Sequence, residues 1–130
     1  MTADEICAGG KEIYRISLEQ GTEVRTAESG EDFFEALKQL RRGLEKSGAS
    51  LHCFGASENV YPSGMQRSMG PAVLAYKTRI GFPALLRDIV NIFEADETVV
   101  SSTIEQQERF HQRWIDSLGK ARQVEWKSKQ

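Results

Sequence analysis

An imidazole and a thiol come close in sequence only once in this chain, at His52-Cys53. Nucleophilic catalysis would need that imidazole within hydrogen-bond reach of the thiol. The segment Leu51-His-Cys-Phe54 predicts a short strand, in which adjacent side chains leave by opposite faces. The two groups then cannot act on one atom, and Cys53 is expected to be a buried structural thiol. His111, the other histidine, falls beside Trp114 and Ile115 on an apolar helical stripe. It reads as a partly buried helix residue rather than a general base. With two histidines and no His-x-x-x-His spacing, a metal site would have to recruit distant carboxylates. Neither a metal nor a cofactor is expected, and no catalytic residue is assigned.

Carboxylates are numerous, and their placement separates them. Glu28, Glu31, Asp32 and Glu35 gather at the start of a predicted helix, where the helix dipole favours acids. Glu94, Asp96 and Glu97 follow a predicted strand, which has no such need, and Glu105 and Glu108 lie close behind. These five acids are candidates for contact with a basic partner. The other unusual passage is the loop from Pro62 to Pro71. Its Gly64 and Gly70 do not match G-x-x-x-x-G-K-[ST], and it lies between strands rather than opening a helix, so it is not expected to cradle phosphate. Met65, Arg67 and Met69 combine adaptable packing with a forked donor, which makes them candidates for a recognition surface.

These residues need elements to hold them. Lys11 to Leu18 alternates, with Tyr14, Ile16 and Leu18 on one face, and predicts a half-buried strand; Thr22 to Thr26 is expected to return beside it at the edge. Phe33, Leu37, Leu40 and Leu44 form one stripe at helical period, with Ser29 expected as cap and Ser47-Gly48 as stop. Val60-Tyr61 and Ala72 to Ile80 predict further strands, the second with Lys77 and Arg79 on the face of Val73 and Ala75. Within 84–93 one helical turn followed by a strand is expected, since β-branched residues crowd the second half. Ser102-Thr-Ile-Glu105 reads as a capping box opening a helix with Ile104, His111, Ile115 and Leu118 on one stripe, ending at Gly119. The expected fold is α+β, an antiparallel β-meander with two main helices packed on one face.

The chain has 130 residues, 39% hydrophobic and 28% charged, which suits a single globular domain over 1–130. Residues 11–119 are expected to form its ordered core, with 1–10 and 120–130 as flexible ends. No apolar run approaches the ~20 residues that span a bilayer. The first residues have neither a basic region nor an apolar stretch, so a cytoplasmic location without membrane attachment is expected. Two cysteines are too few for a disulfide framework. A formal charge of −2 disfavours nucleic acid as the main partner.

The stretch Gly55 to Gly70, containing Val60-Tyr-Pro-Ser-Gly-Met-Gln-Arg-Ser-Met-Gly70, resembles a pattern in small bacterial proteins. Ala75-Tyr76, Val90-Asn-Ile-Phe93 and Glu105 to Trp114 look similar to the same family, so that the resemblance spans about residues 32–118. It transfers no activity and no catalytic residue. In size and class the chain also resembles the immunity partners of polymorphic and contact-dependent inhibition toxins. That likeness implies a protein partner, a toxin domain encoded next to it, neutralised by direct binding. The alternatives are a small enzyme using Tyr61, Arg67 or His52, and a nucleic-acid-binding module using Arg41, Arg42 and the basic tail around Trp126.

Overall fold

The computed structural model describes the backbone of residues 1–128, and the side chains of these apart from Met69 and residues 120–128. The class is α+β. The strands form two antiparallel three-stranded sheets. The first is the meander β1 (Thr2–Ala8), β2 (Lys11–Gln20) and β3 (Glu23–Ser29), in that spatial order. Residues 1–10 are therefore not a frayed leader. Gly9 and Gly10 have φ of 59° and 80°, the pair of positive values that a two-residue hairpin turn requires, and they fold β1 back along β2.

The helix α1 (Phe33–Lys46) crosses this sheet, with Tyr14 and Ile16 of β2 buried beneath it. The Tyr14 and Phe33 rings meet edge to face at 5.1 Å. The stripe Phe33, Leu37, Leu40 and Leu44 is buried as its period requires. Phe34, Lys38 and Arg41 are buried too, a second stripe on the same helix. The reason is that α1 lies between two layers, with β2 and β3 on one side and the second half of the chain on the other. Its cap is Asp32, whose carboxylate accepts from the Glu35 amide at 2.7 Å. Ser29, the expected cap, is committed to β3 opposite Tyr14.

The expected strand at 51–54 is absent. Cys53 instead opens a 3-10 turn over Phe54–Ala56. The carbonyl of Gly55 is taken by the side chains of Arg41 and Gln107 rather than by a strand ladder. The second sheet holds β4 (Val60–Tyr61), β5 (Leu74–Lys77) and β6 (Ile89–Asn91), with β5 central. Between β4 and β5 the supposed loop contains a short helix, α2 (Gly64–Met69), capped reciprocally by Ser63 and Gln66. Ahead of β6 a single 3-10 turn, Leu86–Asp88, agrees with the turn-then-strand expectation for this region.

The last helix, α3 (Ile104–Ser128), begins one residue later than the capping box proposed at Ser102. Ser102 spends its hydroxyl and amide on the Ala56 carbonyl, so Thr103 and Gln106 exchange the capping hydrogen bonds. The buried line on α3 runs through Gln107, with His111 and Trp114 half-buried and Ile115 exposed, a rotation away from the expected stripe. Gly119 does not end the helix, because its φ is not in the left-handed region where a glycine stop operates. The helix continues into the stretch expected to be a flexible tail, and residues 129–130 lie outside the described residues. No helix among the described residues is long and apolar enough to cross a membrane.

Candidate partner-binding surface

Two of the predicted recognition residues, Arg67 and Glu108, are drawn into one polar cluster between α1, α2 and α3. Arg67 reaches Asp32 at 2.9 Å, with Glu31 and Glu35 each at 3.6 Å. Glu108 receives Lys38 at 2.8 Å and the Tyr61 hydroxyl at 2.9 Å. Lys38 and Arg42 lie 3.6 and 3.7 Å from Glu35, which joins the two ends of the cluster. The Phe34 ring lies beneath, with Lys38 and Arg67 at 5.6 and 5.4 Å from its centroid. His111 stacks on Tyr61 at 3.8 Å.

The electrostatics of this cluster follow from its burial and its ion pairs. Burial, and then the bond to Glu108, push the Tyr61 phenol up to about 12, so it keeps its proton at neutral pH. Burial works to raise Glu108, but Lys38 and Tyr61 outweigh it and hold the carboxyl below its ordinary value. Burial holds the His111 imidazole below its ordinary range, against the pull of Glu108. For Arg67 burial opposes the charge, while the bond and attraction of Asp32 more than restore it. Four acids, Glu31, Asp32, Glu35 and Glu108, share the three cations Lys38, Arg42 and Arg67, and the result is a strut between three helices. Glu108 and His111 stand at Glu-x-x-His spacing, a pattern that some metal sites use. The Glu108 carboxylate is turned to Lys38 and Tyr61, and no group of three potential metal ligands gathers among the described residues.

The remaining predicted residues separate. Glu105 pairs with Arg109 one turn along α3 and is exposed. Met65 is exposed on α2; the side chain of Met69 lies outside the described residues. Glu94, Asp96 and Glu97 are exposed on the connection from β6 to α3. That connection is braced. The Glu94 carbonyl accepts from the Phe54 amide at 2.8 Å, and Ile92 and Val99 are buried on either side. Asp96 accepts from both the hydroxyl and the amide of Thr98, which holds its carboxyl below the ordinary value. Glu94 and Glu97 make no side-chain hydrogen bond or ion pair among the described residues, and none joins them to Glu105 or Glu108.

Of the residues that the alternative readings used, Arg42 is exposed, and the side chains of the basic tail around Trp126 lie outside the described residues. Arg41, placed in a nucleic-acid surface, is only 2% exposed. Its guanidinium donates to Gln107 at 2.6 Å, to the Ser102 carbonyl at 3.0 Å and to the Gly55 carbonyl at 3.3 Å. Gln107 in turn donates to the carbonyls of Gly55, Ser57 and Val60 at 2.9–3.0 Å. Burial lowers the pKa of Arg41 and raises that of Cys53, an inert thiol in the core. His52 is exposed beside it and forms no pair with Tyr61 or Arg67.

A surface that the sequence reading passed over lies next to the acidic connection. Lys77, Arg79, Phe82, Leu85 and Arg87 line one depression of about 460 Å3 that Thr98 closes. The alternation that put Lys77 and Arg79 on one face was a signal for it; the turn that brings Phe82 and Arg87 back was not visible. No protein-family model matches this chain, and no curated protein matches it.

Proposed function

We propose that this chain is a protein-binding inhibitor, an immunity protein that neutralises a cognate toxin domain by direct contact. The observation that carries the reading is the connection from Glu94 to Glu97. Glu94 and Glu97 extend from backbone held by the Phe54 amide and the Asp96–Thr98 turn, and their charges are not consumed internally, unlike those of Glu31, Asp32, Glu35 and Glu108. Acids fixed in this way lose little freedom on binding and attract a basic partner before contact. A nuclease-type toxin, with a basic active site, is the partner such a surface suits. The cluster around Tyr61 supports a binding role as well, since it stiffens the scaffold.

The test is the association rate of the full chain with the toxin domain encoded by the adjacent upstream gene, at two salt concentrations. The double variant Glu94→Lys/Glu97→Lys spares Asp96, which holds the turn. It is expected to slow association about tenfold at low salt and to flatten the salt dependence, because steering is screened by ions. Equal rates and equal salt slopes for the two proteins would remove this connection from the interface. A native chain that fails to bind the domain refutes the immunity reading for that partner.

A further inference from the structure

The depression beside the acidic connection gathers three cations: Lys77 at the end of β5, Arg79 just after it, and Arg87 in the 3-10 turn before β6. Among the described residues none of the three has a carboxylate within ion-pair distance. Its one acid is Asp88, which accepts from the Leu85 amide at 2.9 Å. The lining residues thus hold three cations against one acid, on a chain whose formal charge is −2; outside the lining, Asp96 lies near enough to interact with Lys77.

Two of these cations rest on aromatic rings. Arg79 lies over the Phe82 ring at 4.1 Å, and no side-chain hydrogen bond engages its guanidinium among the described residues. Lys77 lies 5.5 Å over the Phe54 ring and donates to Thr98 at 3.4 Å. The turn between Arg79 and Phe82 closes through the Phe82 amide at 3.0 Å, with Gly81 at φ 88°. It is clamped to α3 twice, by the Gly81 amide to Ser117 at 2.8 Å and by the Trp114 indole to the Phe82 carbonyl at 2.8 Å. Phe82 is nonetheless 52% exposed and Leu85 44%.

We propose that this groove is a binding site for an organic phosphate, with the phosphate among Lys77, Arg79 and Arg87 and the organic part against Phe82 and Leu85. Three separate donor groups suit a tetrahedral dianion with several acceptor oxygens, whereas one guanidinium fork already satisfies a carboxylate. The volume of about 460 Å3 is within the range of small-molecule pockets and larger than bare phosphate requires. The apolar side chains account for the excess.

The experiment titrates the full chain, in a buffer free of phosphate, with phenyl phosphate, inorganic phosphate and phenol, following backbone amide shifts by NMR. Phenyl phosphate is expected to saturate, to move the amides of residues 77–88 and of Thr98, and to bind more tightly than either fragment. Arg79→Gln/Arg87→Gln is expected to weaken it by about tenfold or more, as the loss of charge-assisted bonds implies. Lys11→Gln, which removes an exposed cation on the other sheet, should leave affinity unchanged and serves as the control for charge alone. Shifts that do not saturate, that scatter over the surface cations, or that respond equally to the Lys11 variant overturn the site. Equal affinity for inorganic and phenyl phosphate overturns the organic ligand. Movement of the same amides by an oligouridylate with none by phenyl phosphate assigns the groove to nucleic acid and overturns the proposal.

Discussion

Replacing Gly55 with alanine should destabilise the protein more than its single methyl group suggests. A Cβ at this position would stand 2.3 Å from a Leu37 methyl, 2.9 Å from the Ile92 Cβ and 3.0 Å from the Ile92 carbonyl oxygen. Leu37 and Ile92 are both fully buried, so neither has open space to retreat into. The Leu37 methyl can turn at some cost, but the Ile92 atoms move only with their backbone. Ile92 also accepts from the Gly55 amide at 2.9 Å, so drawing the two apart stretches a hydrogen bond. Overpacking costs about 1–3 kcal/mol and a weakened hydrogen bond about 1 kcal/mol, which together give about 3 kcal/mol. For a chain of this length that corresponds to a melting temperature lower by roughly 10 °C. Gly43 provides the opposite sign. It is exposed in the middle of α1, and its Cβ would meet only Arg25, at an ordinary 3.8 Å. Gly43→Ala should therefore gain about 0.5–1 kcal/mol from helix propensity alone. Denaturation of both variants by urea and by heat checks the pair. A Gly55→Ala protein that melts with the native one, or two variants that shift in the same direction, would refute the packing argument.

Two further predictions concern buried polar groups. Gln107→Leu removes an acceptor from the buried Arg41 and the donor shared by three carbonyls, and should cost about 3 kcal/mol; a urea midpoint within error of the native value would show that Arg41 finds another partner. Tyr61 should ionise near 12, as the slowest-rising component of the tyrosine absorbance, and Tyr61→Phe should abolish that component. The folded chain holds this proton more tightly than the unfolded one, so its stabilising contribution is complete below pH 10 and is lost as pH rises towards 12. A native titration complete by pH 11 would contradict the burial of Tyr61 and its bond to Glu108.

What was legible in the sequence follows from the range of the interactions concerned. The stripe Phe33–Leu44 repeats within one helix, and its burial needed no knowledge of the partner layer. The second stripe, with Arg41 on it, could not be read, since its justification is a glutamine 66 positions away. Capping was legible as a motif but not as a position: Ser29 and Asp32 both suit a cap, as do Ser102 and Thr103. Sheet pairing and the Ala56 carbonyl decided between them. Glu105 and Glu108, neighbours on one side of α3, differ in their partners: Glu105 meets Arg109 of its own helix, and Glu108 meets Lys38 and Tyr61, which the sequence places far away. The short helix α2 was hidden by its flanking glycines and prolines, which normally punctuate loops. The groove was half visible: the strand period aligned Lys77 and Arg79, but the return of Arg87 depends on the clamp to α3.

The outermost strand, β1, has a stability of its own. Its bonds run to β2 alone, and nearly all its side chains are exposed on both faces. A two-stranded ribbon without a covered face is marginal in water. Amide hydrogens of residues 2–8 should then exchange through a local opening, far easier than the global unfolding that frees α1. Each opening bares the edge of β2 from Lys11 to Ser17, whose inner face carries Tyr14 and Ile16. An unpaired edge of that length is a template for other chains. Resistance to aggregation is thus set by the closing of one hairpin around Gly9-Gly10, whatever the strength of the core.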